Sequence, residues 1–317
     1  MTRSRGGSAS TRRTVLVAGA ANVVVTVAKL AAGLMTGSSA MLAETAHSAA
    51  DTLNQAFLLT SLHQGDRPAD ERHPFGHGQE RYFWSLLAAF GIFIAGAGFS
   101  VFEGLLELHR SGDHDFLIAY VVLAVACAAE GTSLMRAYRQ VRGEARASDT
   151  RLVDHVRSSP DITVKAALFE DSAAVTGLVL AAAGLLLQQL TGSPVWDGAA
   201  SIAIGALLIV VAARLGLDSR ELLIGKAAGP RDLELIGNEI EQTPGVDKLL
   251  ELLTMYLGPD HLIVAARVAL DDEVSADRVE DLADDIDRSL AEKLPVVPHV
   301  FIDPTQTSPG RDPAARQ

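Results

Sequence analysis

The sequence predicts an α-helical membrane protein: six transmembrane helices followed by a small α+β domain of order α-β-β-α-β. Three observations carry that expectation. Six apolar stretches of roughly 20 residues or more can each cross a bilayer as a helix. Of the 317 residues, 48% are hydrophobic and yet 21% are charged, a mixture that segregates into apolar spans and a charged soluble part. After Gly229-Pro230 the long apolar runs give way to short amphipathic segments separated by breakers.

The first span runs from about Thr14 to Met35 and the second from Met41 to about His63. The third covers about Tyr82 to Leu106, the fourth Phe116 to about Tyr138, the fifth about Ile162 to Leu187 and the sixth Val195 to Leu217. Basic residues set the orientation. Arg3, Arg5, Arg12 and Arg13 precede the first span. Arg67, Arg72 and Arg81 follow the second, and Arg136, Arg139, Arg142, Arg146, Arg151 and Arg157 follow the fourth. Arg214, Arg220 and Lys226 close the sixth. The turn Thr36–Ala40 and the loop Gln188–Pro194 have no Lys or Arg, and the loop near Gly112 has only Arg110. An even number of spans with both termini in the cytoplasm is therefore expected, in a bacterial-type plasma membrane. The N-terminal apolar run is too long for a signal-peptide core, and no small-residue cleavage site stands out.

In the soluble part, Leu233, Ile236 and Ile240 form a helical stripe that ends at Thr243-Pro244-Gly245. Strands are expected at Val246–Tyr256 and His261–Leu270, separated by Gly258-Pro259-Asp260. Leu262, Val264, Ala266, Val268 and Leu270 alternate as in a half-buried strand. Ser275 can cap a helix with the stripe Val279, Leu282, Ile286 and Leu290, and a short strand Val296–Ile302 follows. The order predicts a split βαβ arrangement with both helices on one sheet face. The chain thus divides into an N-terminal tail (1–13), a membrane domain (14–226), a soluble domain (227–304) and a tail (305–317) whose Pro, Arg and Gln predict disorder.

Composition removes several function classes. A net charge of −12 argues against a nucleic-acid partner. The single cysteine, Cys127, excludes an internal disulfide framework and a cysteine metal cluster within one chain. It lies in an apolar run and reads as a packing residue.

Candidate chemistry centres on Glu44-Thr45-Ala46-His47-Ser48-Ala49-Ala50-Asp51, a polar cluster inside the second span. His47 and Asp51 are four apart and so one helical turn apart on one face, which Glu44 shares. An imidazole and a carboxylate so placed can grip one metal ion, and such residues at membrane depth mark ion or proton pathways. The plainer alternative is a polar helix end or an interhelical hydrogen-bond pair. On the fifth span Glu170 and Asp171 are adjacent carboxylates that need a partner, which a divalent cation shared with His47 and Asp51 would supply. Adjacent helix residues point about 100° apart, so one of them faces the ion. Asp171 is expected to be that residue, with Glu170 behind the ligands, accepting protons or contacting another helix. Glu130 on the fourth span can relay protons or pair with Lys29 of the first, and residue types alone do not choose. Asp197 reads as an N-terminal residue of the sixth helix. A second candidate site is the loop Asp70-Glu71-Arg72-His73-Pro74-Phe75-Gly76-His77-Gly78, where two histidines four apart are flanked by acids.

Together, the His47–Asp51 span, the His73-Pro-Phe-Gly-His77-Gly78 loop, six spans and an acidic α-β-β-α-β region resemble the cation diffusion facilitator family over roughly Thr14 to Pro304. The resemblance implies a homodimeric secondary transporter in the lipid bilayer that exports a divalent metal in exchange for protons. It also implies a transmembrane site with His47 and Asp51 joined by ligands from the fifth span, and a loop site of Asp70, His73 and His77. The soluble domain would mediate dimer contacts. No prosthetic group is expected; Zn²⁺, Mn²⁺, Fe²⁺ or Co²⁺ would be cargo. The sequence departs from the family's zinc members at Ala167, where His-x-x-x-Asp would place the histidine, so Glu170, Glu44, water or another span completes the shell. That loss makes a harder ion such as Mn²⁺ or Fe²⁺ credible. His261 and His299 are isolated, so no binuclear site is expected in the soluble domain. Two other classes fit part of the pattern: an intramembrane metalloenzyme using His47 and Asp51, and a passive cation channel or sensor. Against the enzyme stands the absence of His-Glu-x-x-His in any span, or of a Ser or Cys nucleophile paired with a base.

Overall fold

The computed structural model describes residues 23–108, 116–147, 162–271, 274–294, 296–297 and 299–305, with the helical positions 152 and 156. The N-terminal tail, the start of the first span with its arginines, Arg110, Arg151, Arg157 and residues 306–317 lie outside them. Two units emerge. One takes in the helices up to Gln64, from Glu80 onward and as far as Arg220; the other takes in Gly65–Gln79 and the chain from Glu221.

The described part of the first unit is helical apart from short links at 37–38 and 192–194. Its helices are α1 (Val23–Thr36), α2 (Ser39–Gly65), α3 (Glu80–Glu107), α4 (Phe116–Ala147), α5 (Ile162–Thr191) and α6 (Val195–Ile224). The last four each hold a stretch long and apolar enough to cross a membrane, and α1 is a shorter apolar helix. The second expected span forms one unbroken helix, yet it is not among the four, because Glu44, Thr45, His47, Ser48 and Asp51 dilute it; all five are buried. The outer surface carries the large apolar side chains: Ile94 is 69%, Leu117 73% and Leu190 74% exposed. Buried Ala50, Ala126, Ala173 and Ala181 lie in the core. Large apolar groups outside and small ones inside suit a lipid solvent, where close helix approach replaces the hydrophobic drive for association. The chain is an integral membrane protein.

Two features fix the helices that hold the polar cluster. A Cβ on Gly104 of α3 would come within 2.7 Å of the Gly198 carbonyl of α6, and one on Gly198 within 2.8 Å of the Gly104 carbonyl. Only two glycines allow that crossing, and the Ser201 hydroxyl donates to the Ser100 carbonyl beside it at 2.7 Å. Asp197, in the first turn of α6, does more than begin its own helix. Its carboxylate accepts from the Ser39 amide at 2.6 Å, the Ala40 amide at 3.3 Å and the hydroxyls of Ser38 and Ser39. These are the orphan donors at the start of α2, so α6 caps the helix that carries His47 and Asp51. Within α3, Ile92–Gly98 is π-helical, a feature the apolar sequence does not announce. Glu107, which reads as interfacial, is buried, its Cβ 3.4 Å from where a Gly198 side chain would start.

The second unit contains α7 (Pro230–Glu241), β1 (Val246–Gly258), β2 (His261–Leu270), α8 (Ala276–Lys293) and β3 (His299–Thr305). The sheet order is β1-β2-β3, with β1 antiparallel and β3 parallel to β2. The expected α-β-β-α-β order holds. Ile236 and Ile240 of α7, Leu282, Ile286 and Leu290 of α8, and Leu262, Val264, Ala266 and Val268 of β2 are all buried. Three register shifts between β1 and β2 disturb the alternation, so Val268 and Ala269 are both buried and Leu270 is only half-buried. The last strand starts later than Val296: the Val297 amide turns back onto the Leu294 carbonyl, and the Val296 carbonyl accepts from Leu262. Ser275 occupies the N-cap position, but its side chain makes no cap hydrogen bond. Glu239 of α7 accepts from Ser289 and Lys293 of α8, which ties the two helices. The Lys293 and Ser289 bonds hold its carboxyl below the ordinary range.

Candidate metal centre

In the membrane unit, α2 presents His47 and Asp51 toward each other, with Nδ1 and Oδ1 3.6 Å apart. Both are buried, and His47 Nδ1, His47 Nε2 and Asp51 Oδ1 have no hydrogen-bond partner among the described residues. Buried polar atoms left unpaired at this depth cost free energy unless a ligand satisfies them. Charged groups near Asp51 include Glu130 of α4, Lys29, Glu44, Asp171 and Glu170.

Two crossings set the register of α5 against α2. Asn54 donates to both oxygens of Glu170 at 2.5 and 2.7 Å, and Gly177 faces Glu44 Oε1 so closely that a Cβ would come within 2.2 Å. The two helices therefore run antiparallel. Ala173 and Ala174 fall at the level of His47 and Asp51, leaving those longer side chains room. Asp171 is brought to the same region but turns to α4, where Ser133 donates to its Oδ2 at 2.8 Å. The carboxylates of α5 are thus held by neutral donors and not by each other.

Glu44 has a different partner from the one its spacing invites. Lys29, wholly buried, donates to Glu44 Oε2 at 3.1 Å and to Ser48 Oγ at 2.7 Å. Of the two readings of Glu130, the pair with Lys29 is not the one formed: the ammonium lies on Glu44 and Ser48 of α2. Asn54, Ser133 and Ser48 are the polar contacts that sequence reading passed over. Asn54 is three residues beyond Asp51 and Ser133 three beyond Glu130, so helical spacing could have found both. The π-helical turn of α3 also abuts this site, with a Gly96 Cβ meeting Ala50 at 3.7 Å. Such turns recur at functional positions.

The loop Gly65–Gln79 belongs to the second unit. Asp70 organises it as an Asx turn: its Oδ1 accepts from the amides of His73 at 2.7 Å and Arg72 at 2.9 Å. Those bonds, the His73 amide first, hold the Asp70 carboxyl below its ordinary range. Gly76 takes φ +82° to complete the turn, which few other residues would adopt. His73 Nδ1 is 3.2 Å from Asp70 Oδ1, His77 Nε2 is 3.6 Å from Asp70 Oδ2, and the imidazole rings are 4.4 Å apart. Among the described residues only this set brings three ligand atoms within 4.8 Å of one another. His47, Asp51, Asp171 and Glu170 do not converge as tightly. The loop is anchored at Gly78, where a Cβ would strike the Leu257 carbonyl of β1 at 2.5 Å, and Phe75 meets His299 of β3 edge-on at 5.8 Å.

Residues 15–224 match the family profile described as "Cation efflux transmembrane domain", and residues 229–304 match "Cation efflux protein, cytoplasmic domain". The chain belongs to the cation efflux family. This is the cation diffusion facilitator family that the sequence resembles, and its members are transporters and not enzymes. Among its relatives, the mitochondrial proton-coupled zinc antiporter SLC30A9 of Xenopus laevis is 36% identical over 247 residues, 78% of this chain and 44% of that protein. Metal tolerance protein C4 of Arabidopsis thaliana is 34% identical over 249 residues, 78% of this chain and 54% of that protein. Magnetosome protein MamB of Magnetospirillum gryphiswaldense is 27% identical over 223 residues, 70% and 67% of the two chains. The chain spans about half the length of the first two of these relatives.

Within this cation efflux protein, the loop set makes a local expectation. We expect the loop to hold one equivalent of Co²⁺ or Zn²⁺ per chain, and His77→Ala should remove it. Equilibrium dialysis of the full-length protein should detect the change, while the intramembrane residues are untouched. Loss of an imidazole ligand should weaken that equivalent by about 100-fold, given that outer partners alone cost about 10–100-fold.

Proposed function

We propose that the chain exports a divalent first-row cation by metal/proton antiport, with alternating access to a site built on His47 and Asp51. The observation that carries this is the buried pair whose atoms His47 Nδ1, His47 Nε2 and Asp51 Oδ1 have no hydrogen-bond partner among the described residues. A divalent ion arriving there satisfies His47 and Asp51 and draws Asp171 away from Ser133, since a charge outcompetes a hydroxyl. Glu170, held by Asn54, stands behind that ligand set. Binding needs a neutral imidazole and ionised carboxylates, so affinity falls as pH falls, and protons entering from the far side release the metal. Zn²⁺ is the first candidate cargo, in keeping with the zinc antiporters among the relatives; Mn²⁺, Fe²⁺ and Co²⁺ are the comparison set.

The Asp70, His73 and His77 loop is a second binding position on the side from which metal is taken up. Both termini lie in the cytoplasm of a plasma membrane, in keeping with the arginine-bearing loops. The protein works as a homodimer through its soluble domain, residues 227–304. The test is reconstitution into vesicles with an acidic interior and a metal-sensing dye inside. Uptake should saturate with metal and collapse when the proton gradient is dissipated. An ohmic metal current indifferent to the gradient would overturn the antiport reading in favour of a channel.

A further inference from the structure

Lys29 is the one charged residue of α1, whose sequence over Val23–Thr36 is otherwise apolar or small. Its ammonium is completely buried, 3.1 Å from Glu44 Oε2 and 2.7 Å from Ser48 Oγ. Both partners stand on α2 and bracket His47 in sequence, Glu44 three residues before it and Ser48 one after. The other oxygen, Glu44 Oε1, is buried without a hydrogen-bond partner among the described residues. It lies against Gly177 of α5, where a Cβ would come within 2.2 Å. One side of this carboxylate is therefore held by a tethered cation, and the other faces a helix that offers it nothing. Glu44 is also one helical turn from His47 on the same face, within reach of an ion that His47 binds.

We propose that Lys29 is a specificity-determining residue that holds Glu44 out of the transported ion's shell and so favours Zn²⁺ over Mn²⁺. The proposal rests on the antiport reading above. An ammonium at hydrogen-bond distance occupies lone pairs a metal would need, and because it is covalently tethered it does not leave with the cargo. With Glu44 withheld, the ion meets one imidazole and the carboxylates of Asp51 and Asp171, a small mixed set that suits Zn²⁺. Releasing Glu44 adds an anionic oxygen, and oxygen-rich shells shift preference toward Mn²⁺. The plainer alternative is that the ion pair only fastens α1 to α2. The two differ in a measurable way: a fastening lost by either substitution leaves ion preference unchanged, whereas a withheld ligand changes it only when Glu44 is freed.

The experiment uses full-length protein in vesicles with a fixed acid-inside gradient, comparing initial uptake of Zn²⁺ and Mn²⁺. Wild-type uptake with and without the gradient tests antiport itself, and failure there strikes that reading and not the role of Lys29. In Lys29→Met the Mn²⁺ to Zn²⁺ rate ratio should rise about tenfold, the lower end of what changing a partner of a metal site does to affinity. Lys29→Met combined with Glu44→Gln should bring the ratio back to within about twofold of wild type. Lys29→Gln, which keeps a donor toward Glu44 without the charge, is measured alongside so that the ratio stays readable if the methionine variant fails to fold. An unchanged ratio in both single variants, or a shift that Glu44→Gln does not reverse, overturns the proposal. So does loss of monodisperse protein in every Lys29 variant including the double, since the pair would then be a fastening.

Discussion

Asp51→Ala is expected to abolish gradient-driven metal uptake, with initial rates down by about 100-fold or more. The estimate follows from scale: losing an outer partner of a metal ligand costs about 10–100-fold in affinity, and Asp51 is proposed to supply a ligand atom directly. The substitution also leaves His47 Nδ1 without the carboxylate now 3.6 Å away. Because both residues sit on one turn of α2, whose start is capped from α6 by Asp197, the helix itself should survive. Size-exclusion elution and far-UV circular dichroism in detergent should match wild type. Asp171→Ala provides the graded comparison. Asp171 is held by Ser133 rather than by Asp51, and its loss should weaken uptake without removing the two-residue grip. Full gradient-driven flux in Asp51→Ala would remove α2 from the transport path.

Gly104→Val should destabilise the membrane unit by about 3 kcal/mol, the upper part of the usual range for overpacking a closely fitted contact. The new Cβ would sit 2.7 Å from both the Gly198 carbonyl and Ile202 Cγ1, and those atoms cannot move without parting α3 from α6. Parting them also breaks the Ser201 to Ser100 bond. The readout is the midpoint of denaturant-induced unfolding in mixed micelles. Gly131→Val, on an α4 face where a Cβ meets nothing within 4 Å, is the control and should not lower the midpoint, since valine is a slightly better helix former than glycine. Equal midpoints for the two variants would contradict the close crossing.

Much of this arrangement was legible in the sequence because helical spacing is local. Four residues separate His47 from Asp51, and any helix brings them to one face. The six apolar stretches and the α-β-β-α-β order likewise follow from periodicities that each segment carries within itself. Pairings between helices were not legible in the same way. By residue type Lys29 could pair with Glu44 or with Glu130, on two different helices; the rotation of α1 about its axis gives it Glu44. Glu170 and Asp171 each find a neutral donor, Asn54 and Ser133, because α5 lies between α2 and α4 with one acid turned to each. The π-helical turn at Ile92–Gly98 has no composition of its own; its glycines suit any helix and declare the close contact only once α2 and α6 are in place.

The seating of Gly65–Gln79 beside β1 bears on how family members are recombined. A conventional chimaera would exchange everything after the sixth helix as a detachable cassette. Here the cassette has a second piece, inserted between α2 and α3, whose Gly78 leaves no room for a side chain over Leu257 and Gly258. A donor sequence with a longer residue at either surface would push that inserted piece off its bed and scatter Asp70, His73 and His77. Grafts of 229–304 alone should therefore succeed only between proteins whose inserted pieces already match, and two-segment grafts should be the general rule.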